Sequence, residues 1–120
     1  MESESINWRV YAVYVFIMVF VFISSTAFGQ IEAKHFNAGW NKTNDVTWFM
    51  DLEDCQTKGY TDIAKDTEAQ TKYKIAVVPT IIIFKDGEEV ARFQADLSFK
   101  MVSTREEVQE EISNQLMSDF

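Results

Sequence analysis

Cys55 is the only thiol of this 120-residue chain and His35 its only imidazole. Thiol or metal chemistry would have to begin with them. A single cysteine cannot close an internal disulfide, so it is a buried free thiol or half of an intermolecular bond. Asp51, Glu53 and Asp54 stand beside it, and negative charge disfavours the reactive thiolate. Trp48, Leu52 and Cys55 are spaced i, i+4, i+7, with Val46, Phe49 and Met50 widening the same apolar side. A cysteine there serves as a small hydrophobe. His35 has no cysteine or carboxylate at ligand spacing, which fits a core histidine better than a metal ligand. Asn41-Lys42-Thr43 matches the glycosylation sequon. It falls where a helix should start, however, and those side chains serve there as caps.

The elements that position these residues are read from their punctuation. Ile31 to Ala38 is a plausible first strand, leading to Gly39-Trp40-Asn41. Thr43, Asn44 and Asp45 supply cap chemistry and first-turn negative charge for a helix running to about Asp54. Gly59 to Ile63 reads as a short strand, and Asp66-Thr67 opens a polar helix ending near Tyr73. Pro79 is the only proline and directly precedes an apolar run, the first-position placement a strand tolerates. Val78 before it is biased to extended geometry. Asp86-Gly87 makes a tight hairpin turn, with Glu88 to Phe93 as the returning strand. Ala95 to Ser103 is a connection. Thr104 to Glu107 matches a capping box, and Val108, Ile112, Gln115 and Leu116 mark the inner face of a last helix.

The order βαβαββα, the Val78-Pro79-Thr80 segment, and His35-Phe36-Asn37-Ala38-Gly39-Trp40-Asn41 together resemble the thioredoxin family. The chain looks most like the short exported thioredoxin-family proteins of Bacteroidetes that lack Cys-x-x-Cys. The resemblance covers roughly Ile31 to Leu116. It implies an α/β thioredoxin-like fold, a central mixed sheet flanked by helices, with Pro79 in a cis bond. It also sets Asn41 and Asn44 at the positions of the family's two cysteines, and His35 at its buried acid. Dithiol exchange needs a thiolate at one position and a resolving thiol at the other, and neither asparagine supplies one. What the resemblance leaves is a peptide-binding surface of Trp40, Asn41, Val78 and Pro79, where an extended segment adds to the backbone before the proline.

Residues 10–23 form an uninterrupted apolar run after Arg9, followed by small residues ending in Ala27-Phe28-Gly29. This reads as a signal peptide over 1–29, cleaved after Gly29, ahead of a thioredoxin-like domain over 30–120. An uncleaved anchor in the inner membrane is the alternative; the run is shorter than the ~20 residues of a usual span. With 19 acidic and 11 basic residues, the net charge of −8 is spread without a basic cluster. A nucleic-acid partner would need such a cluster. The expectation is an exported periplasmic binding or adaptor protein without cofactor or metal, recognising an extended protein segment in the cell envelope. A monothiol oxidoreductase acting through Cys55 is the rival reading.

Overall fold

The computed structural model describes residues 29–118. The apolar run at 10–23 and the proposed leader, its last residue Gly29 excepted, lie outside these residues. Among the described residues, no helix is long and apolar enough to cross a membrane.

Four strands form one sheet: β1 (Ile31–Asn37), β2 (Thr57–Asp62), β3 (Thr80–Lys85) and β4 (Glu88–Gln94). Their order is β2-β1-β3-β4. β1 runs parallel to β2 and antiparallel to β3, and β3 and β4 form a hairpin. Asp86 and Gly87 both have positive φ, 52° and 86°, the backbone of a two-residue type I′ turn. Among the described residues two α-helices accompany the sheet, α1 (Thr67–Lys72) and α2 (Arg105–Met117). Asp66 caps α1 by accepting from the Ala69 N–H at 3.1 Å. Thr104 caps α2 by accepting from Glu107 N–H at 3.2 Å.

Strand alternation divides the apolar residues between two layers. Ile31, Ala33, Ile81 and Ile83 face one way and pack with Val46, Phe49, Leu52 and, from α2, Val108 and Ile112. Phe36, Ile82 and Phe84 face the other way, with Ile63, Ile75 and Val78. Arg92 on β4 donates to the carbonyls of Tyr73 (2.7 Å) and Lys74 (3.0 Å). It thereby ties the end of α1 and the start of the proline loop to the sheet.

The expected helix from Thr43 to Asp54 does not form. Two short 3-10 segments, Gly39–Asn44 and Phe49–Asp51, stand in its place. Asn41 is non-helical inside the first, and Asp45 (ψ 142°) and Leu52 (ψ 137°) are extended. Asn, Asp, Thr and Val are weak helix formers, and short polar side chains compete for backbone groups. The buried side chains are consequently Val46, Phe49 and Leu52, three apart as a 3-10 path requires. Trp48 and Cys55 pack only partly against the core, and Met50 is exposed. With the chain unwound, β2 begins at Thr57, two residues before the expected Gly59.

Candidate functional site

The strand directions gather Asn37, Asp62, Thr80 and Gln94 at one end of the sheet. In open α/β sheets the carboxyl ends of parallel strands are where sites are built. β1 places Ile31, Ala33, His35 and Asn37 on one face, apolar at its start and polar at its end. His35 and Asn37 are both buried, so their polar atoms must find partners in the protein.

Asn37 is the hub. Its Nδ2 donates to the Asn41 carbonyl at 3.1 Å and, by a short bond, to Asp45 Oδ1. Its Oδ1 accepts from Asn41 Nδ2 at 3.0 Å. Asn41 Nδ2 also donates to the Phe99 carbonyl at 3.1 Å, and Asn41 Oδ1 accepts from Asn44 Nδ2 at 2.8 Å. Tyr60 on β2 donates its hydroxyl to Asp45 Oδ1 at 2.7 Å. Burial pushes the Tyr60 phenol up to about 12, with Asp45 as bonded acceptor and Asp62 as a further negative charge. The two asparagines thus touch each other, but the expected accessibility of Asn41 is corrected. It is only 4% exposed, because its amide is turned inward to join β1 to the loop after β4. Asn44 is half-buried.

His35 lies in the next layer, 1% exposed. Its ring stacks on Tyr60, with centroids 4.7 Å apart, and tilts against Phe49. Nε2 accepts from the Val46 N–H at 3.1 Å, so the neutral ring carries its proton on Nδ1. Among the described residues Nδ1 has no partner, so the expectation of a core histidine holds for its burial and for only one of its two nitrogens. Burial holds the imidazole below its usual value, against the opposing pull of the Asp45 carboxylate. The unfolded chain takes up this proton near pH 6.5, before the folded state does. His35 then contributes stability that is complete above pH 6.5 and lost as pH falls through the folded-state value. In urea unfolding from pH 7.5 to 5, wild type should lose stability relative to His35→Gln, whose amide can accept from Val46 but does not titrate. The difference should grow as pH falls, by at most about 1.4 kcal/mol per pH unit for one proton. Parallel curves would contradict the assignment.

Cys55 is remote from this network. It precedes the amino end of β2, whereas Asn41 follows the carboxyl end of the parallel β1. A six-residue strand separates those ends by about 20 Å. Its Sγ contacts the Glu53 carbonyl at 3.6 Å. Burial raises the thiol above its usual value, Lys58 opposes and Asp54 adds to the rise. The cationic neighbour Lys58 adds to the acidic surroundings expected from Asp51, Glu53 and Asp54 an opposing charge that the sequence reading did not include. Its ammonium is nonetheless occupied by the carbonyls of Met50 and Leu52, at 2.6 and 2.8 Å.

The proline loop arrives at the same end as Asn37. Phe36 pairs with Thr80, which sets Asn37 and Ala38 level with Pro79 and Val78. The Val78–Pro79 peptide bond is cis. Thr80 Oγ1 bonds the Val77 carbonyl, and the Pro79 carbonyl accepts from Ala95 N–H at 3.0 Å. Among the described residues, no hydrogen-bond partner meets either peptide group of Val78, although its side chain is buried. Trp40 is 66% exposed and meets Phe99 edge to face, with centroids 5.2 Å apart.

Phe99 and Leu97 were read from the sequence only as part of the connection Ala95 to Ser103, not as site residues. They belong to a loop folded around Asp96, whose carboxylate accepts from Ser98 N–H, Ser98 Oγ and Lys100 N–H. Phe99 sits there at φ 63° and Leu97 is 97% exposed. Asp-x-Ser after a strand was the available signal for such a turn. Asn37, Asp45 and Tyr60 were missed as well. A polar residue closing an apolar strand was the mark of Asn37.

No family model matches the sequence, and no curated protein sequence matches it. Solved structures do match. Thioredoxin from Schistosoma mansoni superposes with a TM-score of 0.57 at 21% identity, covering 80% of this chain and 88% of that one. A mutant thioredoxin from Halobacterium salinarum gives 0.56 at 17% identity, covering 72% and 75%. Thioredoxin from Fasciola hepatica gives 0.52 at 20% identity, covering 80% and 90%. The chain therefore has the thioredoxin fold, with a four-stranded mixed sheet and a single cysteine.

Proposed function

We propose that this protein is a non-catalytic binding or adaptor module that recognises an extended protein segment at the end of the sheet holding Trp40 and Pro79. The observation that carries the reading is the pairing of Asn41 with Asn44, while the lone thiol lies at the opposite end of a strand. Neither amide supplies a thiolate, and exchange without a resolving thiol has no second step. The free peptide groups of Val78 suit the addition of an extended chain. The exposed pair of Trp40 and Phe99 offers apolar area at the same end of the sheet, and aromatic anchors of this kind carry much of a typical binding energy. An exported, envelope location follows from the leader-like residues 1–29 and belongs to the same proposal.

Affinity capture of the processed protein from envelope extract tests it. A partner should be retained with and without reductant, and Cys55→Ala should hold it equally well. Trp40→Ala should weaken retention about tenfold or more. A partner released by reductant and lost in Cys55→Ala would establish the monothiol reading instead.

A further inference from the structure

The end of the sheet opposite the candidate site carries a second construction. Asp86, at the first position of the hairpin turn, accepts from Gln30 N–H at 3.0 Å and from Gly29 N–H at 3.4 Å. Its own N–H donates to the Gln30 carbonyl at 2.9 Å. The carboxylate thus grips the two residues on either side of the bond that leader cleavage would break. Gln30, Glu32, Gln56 and Asp86 line a surface depression of about 350 Å³ at this point.

We propose that Asp86 is the receptor for the α-amine created at Gln30 by processing after Gly29, and that it shields that terminus from cyclisation. The proposal rests on the export reading. In the uncut chain Asp86 meets two neutral amides. After the cut, Gly29 is gone and the Gln30 nitrogen is an ammonium at the same position. A charge-assisted bond replaces a neutral one, and Glu32 adds negative potential in the same depression. The chemistry at stake is specific to glutamine. Its neutral α-nitrogen attacks Cδ of its own carboxamide, and the Cδ–Nε2 bond breaks. One proton passes to the departing nitrogen, ammonia leaves and a lactam remains, with no change of oxidation state. An ammonium held by Asp86 has no lone pair for that attack.

The substitution Asp86→Asn tests this without endangering the turn, since Asn-Gly is the preferred pair for type I′ geometry. The full precursor and its variant are expressed in the exporting cell, and the processed chains are recovered and weighed. Both should begin at Gln30. On standing at neutral pH, the peptide that begins at Gln30 should lose ammonia about two- to fivefold faster in the variant, the range an exposed ion pair supplies. The loss is read on that isolated peptide because an Asn-Gly pair sheds ammonia through its own succinimide. Added salt should narrow the gap by screening. Equal rates, or a gap indifferent to salt, overturn the proposal and leave the export reading standing. A recovered chain that keeps Met1 or begins elsewhere overturns both.

Discussion

Asn37→Leu is expected to cost about 1–3 kcal/mol of stability, the penalty for stranding buried polar partners. Leucine matches the shape and preserves the apolar contacts of the strand end. It removes three hydrogen bonds at once: to the Asn41 carbonyl, to Asn41 Nδ2 and to Asp45. Asp45 would keep only the Tyr60 hydroxyl among these donors, and a carboxylate that loses a donor in a partly buried place is the costliest of the three. Asn44→Ala is the comparison, because it deletes one bond from a half-buried side chain. That loss should lie near the 0.5–1.5 kcal/mol of an ordinary net hydrogen bond. Urea midpoints for both variants decide the matter. If the two costs are equal, Asn37 is one contact among several and not the hub of the network.

The legible part of this fold was the part written in local punctuation. Pro79 before an apolar run, Asp86-Gly87 after it, and Thr104 three residues before Glu107 each state a backbone requirement within a few positions. The hairpin and α2 follow those signals to within a residue or so. The segment between β1 and β2 was legible only in its outline. Its apolar residues suited a helix face, but the competing weights of Asn41, Asn44, Asp45 and Thr47 for non-helical geometry were decided by tertiary partners. Asn41 bonds to Asn37 and to Phe99, 58 positions away, and no local pattern announces that link. The same holds for His35, whose acceptor role depends on where Val46 comes to rest. Trp40 stood out as a candidate site residue only through the resemblance carried by His35 to Asn41. Its neighbour Phe99 did not, since only the folded loop brings the two rings together.

The paired substitution Asn41→Cys with Asn44→Cys, made in a Cys55→Ala background, should turn a protein without dithiol chemistry into one that oxidises internally. The present side chains already meet, Asn44 Nδ2 lying 2.8 Å from Asn41 Oδ1. Cysteine is one atom shorter than asparagine's terminal atoms, and a disulfide brings its sulfurs to about 2.05 Å with Cβ atoms about 3.5–4.5 Å apart. The small rearrangement needed falls on the 3-10 segment Gly39–Asn44, which is not locked into a regular helix. The burial pattern assigns the roles. The thiol at position 41 would be enclosed, as Asn41 is, and the one at 44 would meet the solvent and attack first. A stability cost of about 1–3 kcal/mol should accompany the change, because Asn37 Oδ1 and the Phe99 carbonyl lose their donor. The predicted readout is a mass lower by two hydrogens after mild oxidation, then reduction of a protein disulfide by the reduced variant where wild type gives none. Trp40→Ala in this background should slow the exchange if the aromatic pair and the free Val78 edge hold the substrate chain. Two thiols that stay free in a folded, oxidant-treated variant would mean that Asn41 and Asn44 do not occupy a thiol pair's geometry. The reading of this site as a thioredoxin fold bound to recognition without exchange would then lose its structural basis.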